Sequence, residues 1–441
     1  MTQTAAAPPP GPQPRSAPRP AATAPPAPGR AVATGRPAVA PHTARMTTPG
    51  RLRLTGAVCV VMALLAGLAG WQAASSQATA VSAVSTSADR LLAVQQVRND
   101  VVAADALATN GFLVGGLEPA ASREQYATWV DQAARGLAAL DATTSADADR
   151  LARASAALTR YAGLVEQARA ANRQGLPVGS AYLASASDLL RTDLLPALDA
   201  LVLSGADQAA GHFDRVANAP WLLVVVAVGL VVLVVVQVRD SRRTHRVLNL
   251  GLTGASALVL VVLLAGLALL GVASTARDVR SGPYRDTVAV SQAVSQVYEA
   301  RSLESFTLIQ RGSGAVYEAE FVGAADEASR QLDRTDAYGL AAQFTTWLDD
   351  HRQIRALDDA GSWDEAVALA LSTGPGTPDD HFTTFMETAK GQMATSKTTM
   401  EDDLASARST AATVRWVALA AGVVAAALAW WSLAQRREEY R

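Results

Sequence analysis

The sequence predicts an all-α integral membrane protein, with four transmembrane helices and two tandem extracytoplasmic antiparallel four-helix bundles. Three observations carry that expectation. Leu54–Ala73, Trp221–Val238, Leu250–Ala273 and Trp416–Leu433 are apolar stretches without a charged side chain. Each is close to the ~20 residues a helix needs to cross about 30 Å of hydrocarbon. The long segments between the first and second stretches, and between the third and fourth, are polar, Ala-rich and of helical period. Positive charge, finally, collects on the short flanks.

Residues 1–50 contain ten prolines between positions 8 and 28, with Ala, Thr and Arg making up much of the rest. Such a composition buries too little apolar area to offset its ordering entropy, so a disordered cytoplasmic tail is expected. The span at 54–73 reads as a retained signal anchor, because its tail and apolar run exceed those of a cleaved signal peptide. Cys59, the single cysteine, lies inside this span, so no disulfide or thiol-ligated metal is expected to organise the outer segments.

Residues 74–219 should form the first outer bundle. Gly115-Gly116 with Pro119, Ala142–Ala146, and Gly175 with Pro177 and Gly179 mark three breaks, hence four helices. Ser122-Arg-Glu-Gln125 is a candidate capping box. Leu183, Leu190, Leu194, Leu198 and Leu201 make one stripe of an amphipathic helix. A second span follows at 221–238, then a basic connector at 239–248 and a third span at 250–273. Residues 274–413 should form the second bundle, with an interruption at Gly282-Pro283 and a break at Gly312 and Gly314. Ser362-Trp-Asp-Glu365 is a second candidate capping box, and Gly374-Pro-Gly-Thr-Pro378 ends in Thr377 as N-cap. The fourth span occupies 416–433, and a short tail, 434–441, completes the sequence.

The two halves align at an offset of about 195, which pairs Trp221 with Trp416 and Asp131, Arg135 and Leu137 with Asp326, Arg330 and Leu332. The residues before the first span, the connector and the C-terminal flank together hold 14 Arg against 3 acidic residues. The segments 74–219 and 274–413 hold 11 Arg against 15 acids and 12 Lys or Arg against 22 acids. This asymmetry places both termini and the connector in the cytoplasm, and both bundles outside a plasma membrane.

Chemistry is sparse. His42, His212, His245, His351 and His381 show no metal-ligand spacing, and no phosphate loop, nucleophile elbow or kinase signature occurs. No catalytic residue, metal or cofactor is expected, nor nucleic-acid binding. The spans contain no Asp, Glu, Lys or His, which disfavours an ion-coupled carrier. Gly56, Ala63, Gly67 and Gly70 in the first span, and Gly251, Gly254, Gly266 and Gly271 in the third, allow close helix contact.

Span, helical bundle, span is the receptor plan of chemoreceptors, which continue into a cytoplasmic output domain; only Ala434–Arg441 follow the last span here. The chain more closely resembles the GlnX-type membrane protein of actinobacteria. The resemblance rests on the four spans, the tandem outer domains, the Arg-rich composition and the segment Ala171-Asn-Arg-Gln-Gly-Leu-Pro-Val-Gly-Ser-Ala-Tyr-Leu183 with Leu194-Leu-Pro-Ala-Leu198. It implies a non-enzymatic transducer that relays amino-acid status from a solute-binding lipoprotein outside to a Ser/Thr kinase inside. Asn172, Arg173, Gln174, Gly175, Pro177, Gly179 and Tyr182 are the candidate docking residues, although the same segment also reads as a plain helix-to-helix turn with Tyr182 packed into the bundle. Arg239, Arg242, Arg243 and Arg246 are the candidate cytoplasmic contact. Membrane lipid and a second copy are further possible partners. Two other classes stand beside this one: a direct small-molecule sensor, and a structural membrane scaffold.

Overall fold

In a computed structural model of the chain, residues 48–114, 118–244, 250–335 and 337–438 are described. Residues 1–47 of the tail expected at 1–50, Gly115-Gly116, the connector from His245 onward and the last three residues lie outside them; residues 48–50 open α1. Twelve α-helical segments and no strand occur among the described residues. The first half contains α1 (Thr48–Val114), α2 (Ala120–Ala139), α3 (Ser145–Arg173), α4 (Val178–Leu189), α5 (Leu195–Asn218) and α6 (Leu223–Thr244). The second contains α7 (Leu250–Ser281), α8 (Pro283–Ile309), α9 (Ala315–Leu332), α10 (Tyr338–Asp359), α11 (Trp363–Ala370) and α12 (Pro378–Glu438). Four of the continuous helical rods are long and apolar enough to cross a membrane.

Proline chemistry explains where rods bend. Pro196 has no N–H for the Thr192 carbonyl, and the helix answers by widening into a π turn over Leu190–Leu194 between α4 and α5. Pro220 likewise leaves the Val216 carbonyl without its helical donor, and a 3-10 turn, Ala219–Leu222, follows. Gln77 repairs that loss: its Nε2 donates to Val216 O at 3.1 Å and to Leu269 O at 3.0 Å. One buried amide thus ties α1, α5 and α7 together at the level where the spans end. Gly282-Pro283 proves a step rather than an interruption, since Gly282 N–H still reaches Asp278 O and Pro283 opens α8 directly. Neither α1 nor α12 contains such a step.

The end signals divide. Thr377 caps α12 as expected, accepting from Asp380 N–H while the Asp380 carboxylate accepts from Gly376 N–H. The two expected capping boxes do not form. Ser122 lies inside α2, which begins two residues earlier, and Ser362 precedes α11 without a side-chain cap. The cap that does form, Thr144 Oγ1 accepting from Asp147 N–H at 3.1 Å, carries Asp rather than Glu at the third position.

Beyond the spans, α1, α2, α3 and α4–α5 run up, down, up and down around a core that includes Val97, Leu137, Leu158, Tyr161, Leu183 and Leu198. Contacts fix those directions: Arg90 meets Asp147 and Gly111 meets Glu118, whereas Gly205 meets Leu91. The second half repeats the order with α8, α9, α10 and α12 around Phe321, Phe344, Trp347 and Phe385. Each large side chain so buried contributes about 1.5–3 kcal/mol. The halves do not stand apart. Phe306 of α8 enters the first core, and Leu113 of α1 joins Leu308, Ile354 and Ala366 beneath α11.

Among the spans, α1, α6, α7 and α12 pack through small residues. Gly67 and Gly422 bring the α1 and α12 backbones together, and Gly251 lies against Leu428 and Ser432. Their outer faces expose Leu64, Leu68, Val228, Val235, Leu264 and Val424, with Trp221, Trp416, Trp430 and Trp431 near the ends. That is the surface a bilayer would cover. A Cβ at Gly67 would sit 2.6 Å from Gly422 Cα. Gly67→Val is therefore expected to cost about 1–3 kcal/mol, read as a lower thermal midpoint in detergent. Gly271→Ala, whose Cβ would meet nothing within 4 Å, should leave the midpoint unchanged.

The second core contains a buried ionic cluster that spacing along the sequence did not reveal. His351 Nδ1 lies 2.7 Å from Glu304 Oε2, and Nε2 lies 3.3 Å from Glu318 Oε1. Its ring stacks on Phe321 with centroids 3.5 Å apart. Burial alone would lower the imidazole pKa, but the hydrogen bonds and charges of Glu304 and Glu318 hold it above its ordinary value. Burial likewise raises Glu318, and His351 with Arg355 more than reverses this. The folded chain therefore holds the His351 proton more tightly than the unfolded chain does. This stabilisation is complete below the ordinary histidine value of 6.5 and is lost as pH rises through the folded value. Thermal midpoints taken at rising pH above 6.5 should fall, and His351→Gln should remove most of that slope.

Candidate functional site

The two halves meet along α1 and α8, which run parallel outward from their spans. On α1, Gln95, Arg98, Asn99 and Asp105 recur at helical spacing; on α8, Ser291, Ser295 and Ser302 do the same. Serine is small, so the two backbones approach, and its hydroxyl meets the polar groups opposite. Asn99 Nδ2 donates to Ser291 Oγ at 3.0 Å, and Arg98 Nη1 donates to Ser295 Oγ. Asp105 stands at the centre. Its Oδ1 accepts from Ser187 Oγ of its own half, and its Oδ2 from Ser302 Oγ of the other, each at 2.6 Å. A polar seam thus joins two apolar cores.

Toward the membrane from Asp105 the seam opens into a cleft of about 260 Å³. Its walls come from both halves: Gln95, Arg98 and Asn99 of α1, Asp199 and Val202 of α5, Ser291, Gln292 and Gln296 of α8, and Glu327 and Gln331 of α9. Arg98 Nε donates to Asp199 Oδ1 at 2.9 Å. Burial would raise the Glu327 pKa, but hydrogen bonds from Arg330 and Gln331 hold it below the usual carboxylate range, so it is an anion at neutral pH. Gln95 is only 2% exposed, and neither atom of its amide has a partner; Asn99 Oδ1 also has none. Buried amides without partners are costly, and both residues lie in the wall of one cleft, their unpartnered atoms shut off from solvent.

The segment singled out from the sequence lies elsewhere, at the membrane-distal end. Gly175, at φ 65°, closes α3 in a Schellman motif, with Gly175 N–H on Asn172 O and Leu176 N–H on Ala171 O. Gly179 is buried where α4 crosses α3; an added Cβ would lie 3.1 Å from Asn172 N. Asn172 is half-buried, while Arg173, Gln174, Gly175 and Pro177 are exposed. Tyr182 is exposed as well, rather than packed into the bundle, and with Leu176 and Val178 it forms an apolar tip. Beneath the tip, Arg169 bonds Glu118 and Glu166 and lies over the Tyr126 ring.

Arg239 and Arg242 are exposed at the end of α6. The Arg243 side chain and Arg246 lie outside the described residues. Among the described residues, no three His, Cys, Asp or Glu side chains are grouped to hold a metal ion.

Sequence reasoning missed the seam because it took one helix at a time. A signal was present: Asp105 interrupts the run Val101-Val102-Ala103-Ala104, and serines recur at four and seven residues on an otherwise apolar face of α8.

Residues 79–214 match the family model of an Actinobacterial sensor domain. The match starts just above the first span and ends near the foot of α5. No curated protein and no solved structure matches the chain. The first half of this chain therefore carries a sensor domain of the actinobacterial type, and that domain contributes Gln95, Arg98, Asn99, Asp105 and Asp199 to the seam and cleft.

Proposed function

We propose that the chain is a non-enzymatic transmembrane transducer. It relays extracytoplasmic nutrient status, of an amino-acid kind, through a solute-binding lipoprotein to a cytoplasmic Ser/Thr kinase. The observation that carries this reading is the continuity of α1 and α12, which pass from the spans into the distal cores without a proline or glycine step at the junction. The match of residues 79–214 to a sensor domain supports it. The charge asymmetry supports outer placement of the distal regions and inner placement of Arg239, Arg242, Arg243 and Arg246.

The mechanism follows from which rods are whole. In the span bundle α1 and α12 touch at Gly67 and Gly422, and α7 packs on α12 at Gly251; in the proposed motion the α1–α12 contact is the one that stays fixed. The α6–α7 pair is joined to the distal cores through the Pro220 and Pro283 steps and ends in the basic connector. A partner seated on the Leu176, Val178 and Tyr182 tip favours one packing of the first distal region. The connector pair then tilts or slides against the α1–α12 pair. Only a difference in affinity for two packings can drive that motion, typically about 1–3 kcal/mol.

A second reading, a receptor that binds its small molecule directly, is favoured by the polar cleft between the halves. In either case the signal passes through α1. Inserting four glycines between Ala83 and Val84 should leave the distal region folded, as read by helical circular dichroism, and abolish amino-acid-dependent phosphorylation by the kinase. Unaltered phosphorylation would remove the transducer reading. Crosslinking in intact cells followed by mass spectrometry should recover a solute-binding lipoprotein and a kinase. Recovery of cell-division proteins in their place would favour a scaffold.

A further inference from the structure

We infer that the cleft between α1, α5, α8 and α9 is a binding site for a small zwitterion that bears an ammonium and a carboxylate, of the size of an α-amino acid. Its effect on signalling rests on the transducer reading; its binding does not.

Size sets the first bound. About 260 Å³ is roughly the space of nine water molecules and lies below the range for drug-sized ligands. A ligand of about ten non-hydrogen atoms fits.

Charge sets the second. One guanidinium, Arg98, faces the cleft from α1, while two carboxylates, Asp199 of α5 and Glu327 of α9, face it from other elements. Arg330 offsets Glu327 from outside the lining, with Nη2 at 2.6 Å. A dianion would meet two carboxylates, and a dication would meet Arg98. A molecule with one charge of each sign satisfies both, its carboxylate toward Arg98 and its ammonium toward Asp199 or Glu327. Arg98 gives Nε to Asp199 and Nη1 to Ser295, so an incoming carboxylate can be met through Nη2 without breaking the seam.

Hydrogen bonding sets the third. Gln292 and Gln296 line the cleft with half-buried amides, beside Gln331, which bonds Glu327 and accepts from Arg334, and against one apolar wall, Val202. An apolar occupant would strip water from the Gln292 and Gln296 amides and from Arg98 without replacing its hydrogen bonds. A divalent metal is disfavoured, since no three acidic or imidazole groups converge among the described residues. Because the walls belong to α1 and α5 on one side and α8 and α9 on the other, an occupant bridges the two halves at the rods that continue into the spans.

The test uses the full chain in lipid nanodiscs. Each of the twenty standard amino acids is titrated by calorimetry and thermal shift, beside putrescine, succinate and glucose as dication, dianion and neutral probes. At least one amino acid should give saturable heat and raise the thermal midpoint, as mass action requires, while the other three probes give neither. Gln296→Ala removes a half-buried amide of the cleft wall, so it should keep the unliganded midpoint and weaken binding at least tenfold. Arg98→Gln should weaken it by about ten- to a hundredfold. Should Gln296→Ala misfold, Gln292→Ala serves in its place with the same expectation. Silence from all twenty amino acids, a preference for putrescine, succinate or glucose, or undiminished binding by these variants would overturn the site. Spin labels at the inner ends of α6 and α12 separate the two readings. Binding with no change in their distance supports the site and counts against transduction; binding with a change supports both.

Discussion

One unbroken helix governs this molecule. At about 1.5 Å per residue, the 67 residues of α1 reach about 100 Å. The same rod is a membrane span at its start, the holder of Gln77 at the junction, and a wall of the distal core and seam beyond. Its sequence changes character to suit each role. It is apolar on its lipid face through Leu68, then sided, with Val94, Val97 and Val101 inward and Gln95, Arg98 and Asn99 toward the other half. No proline, π turn or 3-10 turn interrupts it between the apolar stretch and Asp105.

The seam is where a shift between the halves is cheapest. Sliding two apolar cores past each other exposes hydrocarbon, at about 25 cal/mol for each Å². Along the seam α1 and α8 meet through hydroxyls, amides, one guanidinium and one carboxylate, although Phe306 and Leu308 of α8 add apolar contacts to the first half further out. Asp105 prevents sliding there from being frictionless. A buried carboxylate must keep its two serine donors, from Ser187 and Ser302, or find equivalents. Discrete partners give discrete packings, which a two-state relay requires.

What could be read from the sequence was what is local along the chain. Runs without charge gave the four apolar helices, and Gly175 with Pro177 gave the turn that the Schellman motif makes. Thr377 before Pro378 gave the start of α12. Capping boxes at Ser122 and Ser362 were misread because a Ser-x-x-Glu or Ser-x-x-Gln spacing also occurs inside helices and beside unbonded starts. The widening at Leu190–Leu194 was written in Pro196, four residues after the carbonyl it orphans. The His351 cluster was beyond such reading, because Glu304 and Glu318 belong to helices 47 and 33 residues away. The seam was hidden for the same reason: period tells which side of a helix is polar, not which helix it faces.

The two halves share an order of helices but not a division of labour. The second half is braced by His351 between two carboxylates and by Trp363 Nε1 donating to Leu308 O at 2.8 Å. The first half buries Tyr126 and Tyr161 and contains the π turn. A π turn is a local widening of the helix, and Pro196 fixes this one in place. It lies between the exposed tip at Leu176–Tyr182 and Asp199 in the cleft, so the α4–α5 rod is irregular where α1 is continuous. On the transducer reading proposed above, a partner at the tip and a ligand in the cleft would act on this one rod from either side of its widened turn.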